Sequence, residues 1–425
     1  MCLLGAYLYW ELMRRFAGLG PRLAEGAKDV AIYRRAGEAI LAGEVPYRDF
    51  FIEYPPGSLP AFVPPALFTE SREAYASLFA SEMALVLVAA LALTAYTARS
   101  LDHFWLLPAA VFVAAAVLLY PVAVTRYDAV VALSFAAATA LACGLSGNGS
   151  KRAVGATGGS VALVAAWASL GLGAAAKLVP ALAALPLALF ARREERTFGG
   201  VARGALGGIV VFCGVVAAFF LPAVFFGGGG FIESFTYHAD RGLQIESLAS
   251  SVLMKLGYVN ATSFEFGAVD VRGRGVGLLS SLSFPVTGVL LAVTAAVAYR
   301  EWRGGRFGPA QFPRFAAALV LAFLIGSKVL SPQYVIWLLP LVPLSASGLW
   351  SVGVSAVFLS VCWMTTQIYP YHYFEILNSR PPGTDILLGR NLLLVVLWGL
   401  MLSLPSEDKK KDEPANLITA QTGAA

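Results

Sequence analysis

Runs of about 20 consecutive apolar residues recur along the whole chain, and no other feature restricts its fold as tightly. A bilayer core about 30 Å thick is crossed by a helix of that length, and inside it every backbone N–H and C=O must find its partner within the protein. Twelve such runs are expected, over 1–19, 77–98, 104–120, 129–146, 157–174, 178–191, 205–224, 276–299, 314–327, 333–347, 349–368 and 388–404, divided by short polar or Gly/Pro-rich breaks. The expected fold class is therefore all-α: a polytopic transmembrane helical bundle of about 12 helices filling residues 1–404, with 405–425 as a disordered cytoplasmic tail.

Composition excludes the main alternatives. With 58% apolar and 13% charged residues, a chain of 425 residues carries far more apolar surface than a water-soluble domain needs. The formal charge of +5 is shared among short inter-helix loops and forms no stripe for nucleic acid. Cys2, Cys143, Cys213 and Cys362 stand singly in apolar runs, so neither a disulfide nor a metal site is expected. With His103, His238 and His372 as the whole histidine complement, an imidazole metal cage is not expected. Walker, GxSxG, HExxH and strand-linked GxGxxG signatures are absent.

The positive-inside rule sets the expected orientation. If the N-terminus is cytoplasmic, Arg99, Lys151, Arg152, Arg192, Arg193, Arg196, Arg203, Arg300, Arg303, Arg306, Arg314 and the tail lysines Lys409 to Lys411 all fall inside. Both termini are then cytoplasmic in a multi-pass cell-membrane protein. Segments 20–76, 225–275 and 369–387 become extracytoplasmic loops, the first two of them large. The first run carries Glu11, Arg14 and Arg15 and has no signal-peptide cleavage pattern, so it reads as a retained helix lacking part of its length. The GGGG at 227–230 reads either as a hinge or as a flexible connector.

Candidate chemistry gathers on the outer side. Asp29 and Tyr33 open an expected interfacial helix that Gly43 ends, and a Pro-stiffened aromatic segment then holds Asp49, Glu53 and Tyr54 at the surface. Asp29 lies at the lipid boundary, an environment that makes a carboxylate a useful proton acceptor. Arg126 and Asp128 follow the third run, Lys177 sits at a helix break marked by Gly171, Gly173 and Pro180, and Lys328 precedes Pro332. Each lysine faces either a cavity or, by snorkelling, the headgroups. In the second large loop His238 and Arg241 stand three apart, suited to a phosphate or sugar, with His238 equally open to a structural role. The third loop adds His372 among tyrosines that either stack on sugars or anchor the interface. Several cations around one or two carboxylates suit an anionic lipid phosphate with a base for an acceptor hydroxyl nearby.

Taken together, DVAIYRRAGEAILAGEVPYRDFFIEYPPG, TRYDAVVAL, AAKLVPALAALP, YHADRGLQIES and SPQYVIWLLPL resemble glycosyltransferase family 87, over about residues 29 to 345. The family includes polyprenol-phosphate-mannose-dependent mannosyltransferases of the GT-C superfamily. The resemblance implies inverting transfer of a sugar, best known as mannose, from a polyprenyl-phosphate donor to a glycolipid, glycan or polysaccharide acceptor on the extracytoplasmic face, among membrane lipids. It implies Asp29 as general base, with Glu53 and then Asp49 as alternatives. Arg126, Lys177, His238, Arg241 and Lys328 would hold the donor phosphate, and Tyr33, Tyr54, Asp128, Gln244, Gln333, Tyr334 and His372 would shape the pocket. No DxD or paired-acid motif appears in the first loop, so neither a divalent metal nor another cofactor is expected. Twelve helices also suit a secondary transporter with Lys177 and Lys328 near the midplane, or a lipid-linked sugar flippase. The structured first outer loop and the lack of an obvious repeat argue against the carrier.

Overall fold

A computed structural model describes residues 1–26, 28–101, 103–144, 156–193, 198–239, 241–265 and 267–405. The expected tail therefore lies almost wholly outside the described residues, as do Lys151, Arg152 and Arg196. The chain is a multi-pass bundle of membrane helices, and helical structure begins or continues in every one of the twelve expected runs.

The bundle is built from α1 (Cys2–Gly26), α2 (Lys28–Leu41), α3 (Arg72–Ser100), α4 (Leu106–Leu118), α5 (Asp128–Gly144), α6 (Ala156–Ala176), α7 (Ala184–Ala191), α8 (Phe198–Ala239), α9 (Leu248–Lys255), α10 (Val276–Arg303), α11 (Gln311–Gly326), α12 (Gly348–Thr366) and α13 (Gly383–Ser403). Among the described residues five helices are long and apolar enough to cross a bilayer: those over 72–100, 205–237, 276–303, 348–371 and 383–403. The other apolar segments are shorter, and two of them are broken, one after Ala176 and one before Pro332. α6 stops at Ala176, Lys177 falls in the break, and a 3-10 turn over Val179–Ala183 leads into α7. Pro332 likewise opens a 3-10 segment, Pro332–Leu338.

End chemistry follows the sequence. Ser71 caps α3, its hydroxyl accepting from the Ala74 N–H at 3.4 Å, while Glu73 and Arg99 lie at the dipole ends that favour them. α1 runs beside α3, and Tyr9 bonds Ser81 at 2.8 Å. Glu11, Arg14 and Arg15 thus lie near the end of α3 marked by Arg72, where their mutual ion pairs at 2.6 and 2.7 Å reach the interface.

Two elements depart from expectation. The GGGG lies inside α8, which continues to Ala239, and the helix bends at Gly228 with φ 54°. It is no slack connector: two helical segments meet at a kink at Gly228, as the hinge reading expects, and the junction is packed, since a Cβ on Gly230 would overlap the Tyr47 carbonyl oxygen and one on Gly227 would press the Tyr47 side chain. The chain also contains a hairpin, β1 (Val259–Glu265) and β2 (Ala268–Gly273), antiparallel with Thr262 opposite Val271. The extended segment before α9 docks on β2 through Ile245 N–H to Val269 O at 2.9 Å and Val271 N–H to Leu243 O at 3.0 Å. Leu243, Ile245, Leu253, Met254, Val271, Ile376 and Leu387 form a small separate core that fixes this cap on the bundle.

Candidate active site

A cavity of about 580 Å³ opens at the end of the bundle that carries the three long segments. Its walls come from the start of α2, the 53–55 segment, the turn before α5, the α6 break, the 241–246 segment, the hairpin tip, the 331–337 segment and the 369–373 turn. Four cations reach it, Lys28, Arg126, Lys177 and Arg241, against three acids, Asp29, Glu53 and Glu246.

Asp29 sits in the first turn of α2 and is held from two sides. Arg126 Nε lies 2.6 Å from its Oδ2, and the Tyr54 hydroxyl donates to its Oδ1 at 3.3 Å. Tyr33 is buried behind this pair, stacked on Phe62 at 4.3 Å and edge-on to Tyr54 and Tyr127. The aromatic packing makes a rigid back wall, so the carboxylate keeps its direction. Glu53 lies on the same cavity, and burial, reinforced by the negative charge of Asp29, raises its pKa above the usual glutamate range.

Lys177 is fixed more elaborately. Its Nζ donates to Asp128 Oδ1 at 2.8 Å, and the same oxygen accepts from Trp337 Nε1 at 2.6 Å. The ammonium also sits 5.1 Å from the Tyr127 ring, 4.8 Å from Tyr334 and 5.1 Å from Trp337. Asp128 is buried and does not line the cavity; its place is behind the lysine, holding it. Close packing enforces the break that presents Lys177: a Cβ on Gly173 would press into Ser134 and Pro180.

The remaining wall is a clasp between two segments. Gln244 N–H donates to Lys328 O at 3.0 Å, Leu330 N–H to Gln244 Oε1 at 2.7 Å, and Gln244 Nε2 to Ser331 Oγ at 3.1 Å. Lys328 donates from Nζ to the Arg241 carbonyl at 2.5 Å, outside the cavity lining, while Arg241 and Gln333 line it.

The structure thus brings Asp29, Glu53, Tyr54, Arg126, Lys177, Arg241, Gln244, Gln333 and Tyr334 to one cavity and leaves others elsewhere. Asp49 is solvated in a turn, pairing with Arg48 at 2.8 Å and accepting from Val45 N–H at 2.8 Å; the Arg48 bond, with that turn bond, holds its carboxyl down at about 2. His372 pairs with Glu375 at 3.4 Å, off the cavity. The side chain of His238 lies outside the described residues. Lys28 and Trp337 line the cavity without having been singled out from sequence, whereas Tyr369 and Tyr373 are among the third-loop tyrosines read as sugar-stacking or interface residues, and Glu246 follows Arg241 in the second large loop with no role assigned to it. Glu246 lies in a turn just after Gln244, closed by Ser247 N–H to the Gln244 carbonyl at 3.1 Å, which no local sequence pattern marks as facing a cavity.

A multi-pass membrane bundle with a charged, aromatic-walled cavity at one end is the architecture of an enzyme or carrier working at the bilayer surface. Comparison decides between these: the chain belongs to glycosyltransferase family 87, whose sequence model matches residues 51–332. Asp29, Lys28, Tyr334 and Trp337 lie outside the matched range. The protein is accordingly a membrane glycosyltransferase. Among solved structures it is similar to ArnT from Cupriavidus metallidurans, at 17% identity and a TM-score of 0.47 in the apo state, over 87% of this chain and 71% of that one. The same ArnT bound to undecaprenyl phosphate gives 18% identity and a TM-score of 0.46, over 87% and 72%. No curated protein matches the chain.

Proposed function

We propose that this glycosyltransferase moves a sugar, mannose in the first instance, from a polyprenyl-phosphate donor to a hydroxyl of a glycolipid or glycan acceptor, with inversion, at the extracytoplasmic surface. The observation that carries this reading is the Asp29–Arg126 pair at 2.6 Å, a proton acceptor and an anion-binding group side by side on the wall of a cavity that three further cations reach. In the proposed step the acceptor oxygen attacks the anomeric carbon, Asp29 takes the hydroxyl proton, and the bond to the phosphate oxygen breaks with its electron pair. Arg126, Lys177 and Arg241 offset the charge that develops on the departing phosphate, in a site where burial strengthens each interaction.

Donor binding also prepares the base. A phosphate competing for Arg126 loosens that guanidinium from Asp29, so the carboxylate is released when the donor is in place. Glu53 is the second candidate base, its pKa raised by burial. Charge neutralisation by lysine and arginine leaves no step that calls for a metal or other cofactor, and EDTA treatment is expected to leave transfer unchanged. Binding of sugar-free polyprenyl phosphate to the purified protein tests the phosphate site. Lys177→Met and Arg126→Met are each expected to weaken it about 10-fold or more. Unchanged affinity in both would remove the phosphate from this cavity.

A further inference from the structure

Among the described residues, Glu246 is the one cavity acid that neither the proposed base, with its alternative Glu53, nor the phosphate site employs. It is 2% exposed yet reaches the cavity, and its Oε2 accepts from Gln244 Nε2 at 2.8 Å. Gln244 is itself immobilised by Leu330 and Ser331, so the direction of the carboxyl is set by the clasp and not by the ligand. Its peptide is anchored too: buried Arg390 and Asn391 donate to the Glu246 carbonyl at 3.1 and 3.3 Å. Among the described residues no cation forms an ion pair with its carboxyl, whereas Asp29 and Asp128 are both ion-paired. Tyr369 and Tyr373 line the cavity with it.

We propose that Glu246 is a specificity-determining residue for the transferred sugar, its carboxyl hydrogen-bonding one sugar hydroxyl while Arg126 and Lys177 hold the phosphate. The inference rests on the donor-sugar reading above. The carboxyl is held on one side by Gln244 and faces the cavity on the other, so a ligand that fills the cavity and displaces its water has to offer it a partner, an unmet polar group there costing about 1–3 kcal/mol. A phosphate is the wrong partner, being repelled by the ionised form and already served by cations. A hydroxyl donates and accepts, so it satisfies either form of the acid. Burial pushes Glu246 up to about 7, so near neutral pH the acid form, which can donate, is well populated. Sites built to bond a substrate hydroxyl discriminate strongly against analogues that lack it, because the protein group is then left buried and unpaired.

The test measures kcat/KM for polyprenyl-phosphate mannose and its monodeoxy analogues with wild type, Glu246→Gln and Glu246→Leu, beside binding of sugar-free polyprenyl phosphate. Wild type should lose about 100-fold or more on removal of one particular hydroxyl and far less at the others. Glu246→Leu should lose a similar factor with the parent donor, become indifferent to that hydroxyl, and bind sugar-free polyprenyl phosphate as before. Glu246→Gln, which keeps the shape and a hydrogen-bonding group, should recover most of the rate. A Leu variant that loses all donors equally and stays sensitive to the same hydroxyl overturns the inference and leaves the function intact. If Glu246→Leu fails to fold, Glu246→Ala decides: a variant that stays as sensitive as wild type to the same hydroxyl overturns the proposal. A wild-type protein that binds no polyprenyl phosphate and transfers no sugar refutes the underlying function instead.

Discussion

At Glu246 a single buried group links the site to the stability of the whole chain. Its pKa rises from 4.5 to about 7 on folding, because burial outweighs the pull of Arg390, Arg126 and Arg241. The folded state therefore binds the proton more tightly than the unfolded state, and the group's contribution, full below about pH 4.5, is lost as pH rises toward 7, a cost of about 3 kcal/mol. Thermal unfolding in one detergent should show wild type falling relative to Glu246→Gln between pH 5 and 8; parallel curves would contradict the assignment. Lys177 makes a different case. Asp128 Oδ1 serves both Lys177 and Trp337, so Trp337→Phe should lower affinity for polyprenyl phosphate severalfold by releasing the carboxylate from its seat, with little loss of stability. Asp29, Arg126 and Lys177 stand out in the sequence because charge amid apolar residues is costly without a purpose. That Asp128 stands behind Lys177 instead of in the pocket depends on Trp337, 209 residues away, which no local pattern reveals.

The elements were legible to the extent that they obey the lipid. Helices filling apolar runs, and the breaks at Lys177 and Pro332, follow from hydropathy and from Gly and Pro alone. The hairpin was not anticipated within an all-α expectation, because VNATSFE and AVDVRG are short, exposed on one side and contribute nothing to an apolar count. The restraint on the GGGG was hidden for a related reason: four glycines mark a hinge locally, and what packs against it is Tyr47, whose left-handed φ of 69° places its carbonyl against Gly230. Gly230→Ala should therefore destabilise the protein by about 2 kcal/mol or more, whereas Gly229→Ala, with open space at its Cβ, should be close to neutral. Melting temperatures of the two variants make the comparison, and equal effects would show that α8 does not lean on the first loop.

Over the whole molecule, charge and chemistry are divided between the two ends. The cavity with its acids lies at one, while Arg192, Arg303 and Arg314 lie at the other, where Trp302 bonds the Arg192 carbonyl at 3.2 Å and Arg314 bonds Met401 O at 2.6 Å. In the proposed orientation, with those arginines cytoplasmic, the cavity faces outward. In intact cells an impermeant thiol reagent should label Glu44→Cys in a cysteine-free background and reach Arg303→Cys only after permeabilisation; the reverse pattern would turn the protein over.

The proposed function stands or falls with Asp29 taking the acceptor proton in a transfer from polyprenyl phosphate. The most direct measurement reconstitutes the protein with labelled polyprenyl-phosphate mannose and a membrane lipid extract and compares wild type, Asp29→Asn and Glu53→Gln for label entering acceptor. Wild type should transfer label, Asp29→Asn should lose about 1,000-fold or more with donor binding retained, and Glu53→Gln should lose less. Full transfer by Asp29→Asn, or labelled donor carried across the vesicle without transfer, would contradict the proposed function.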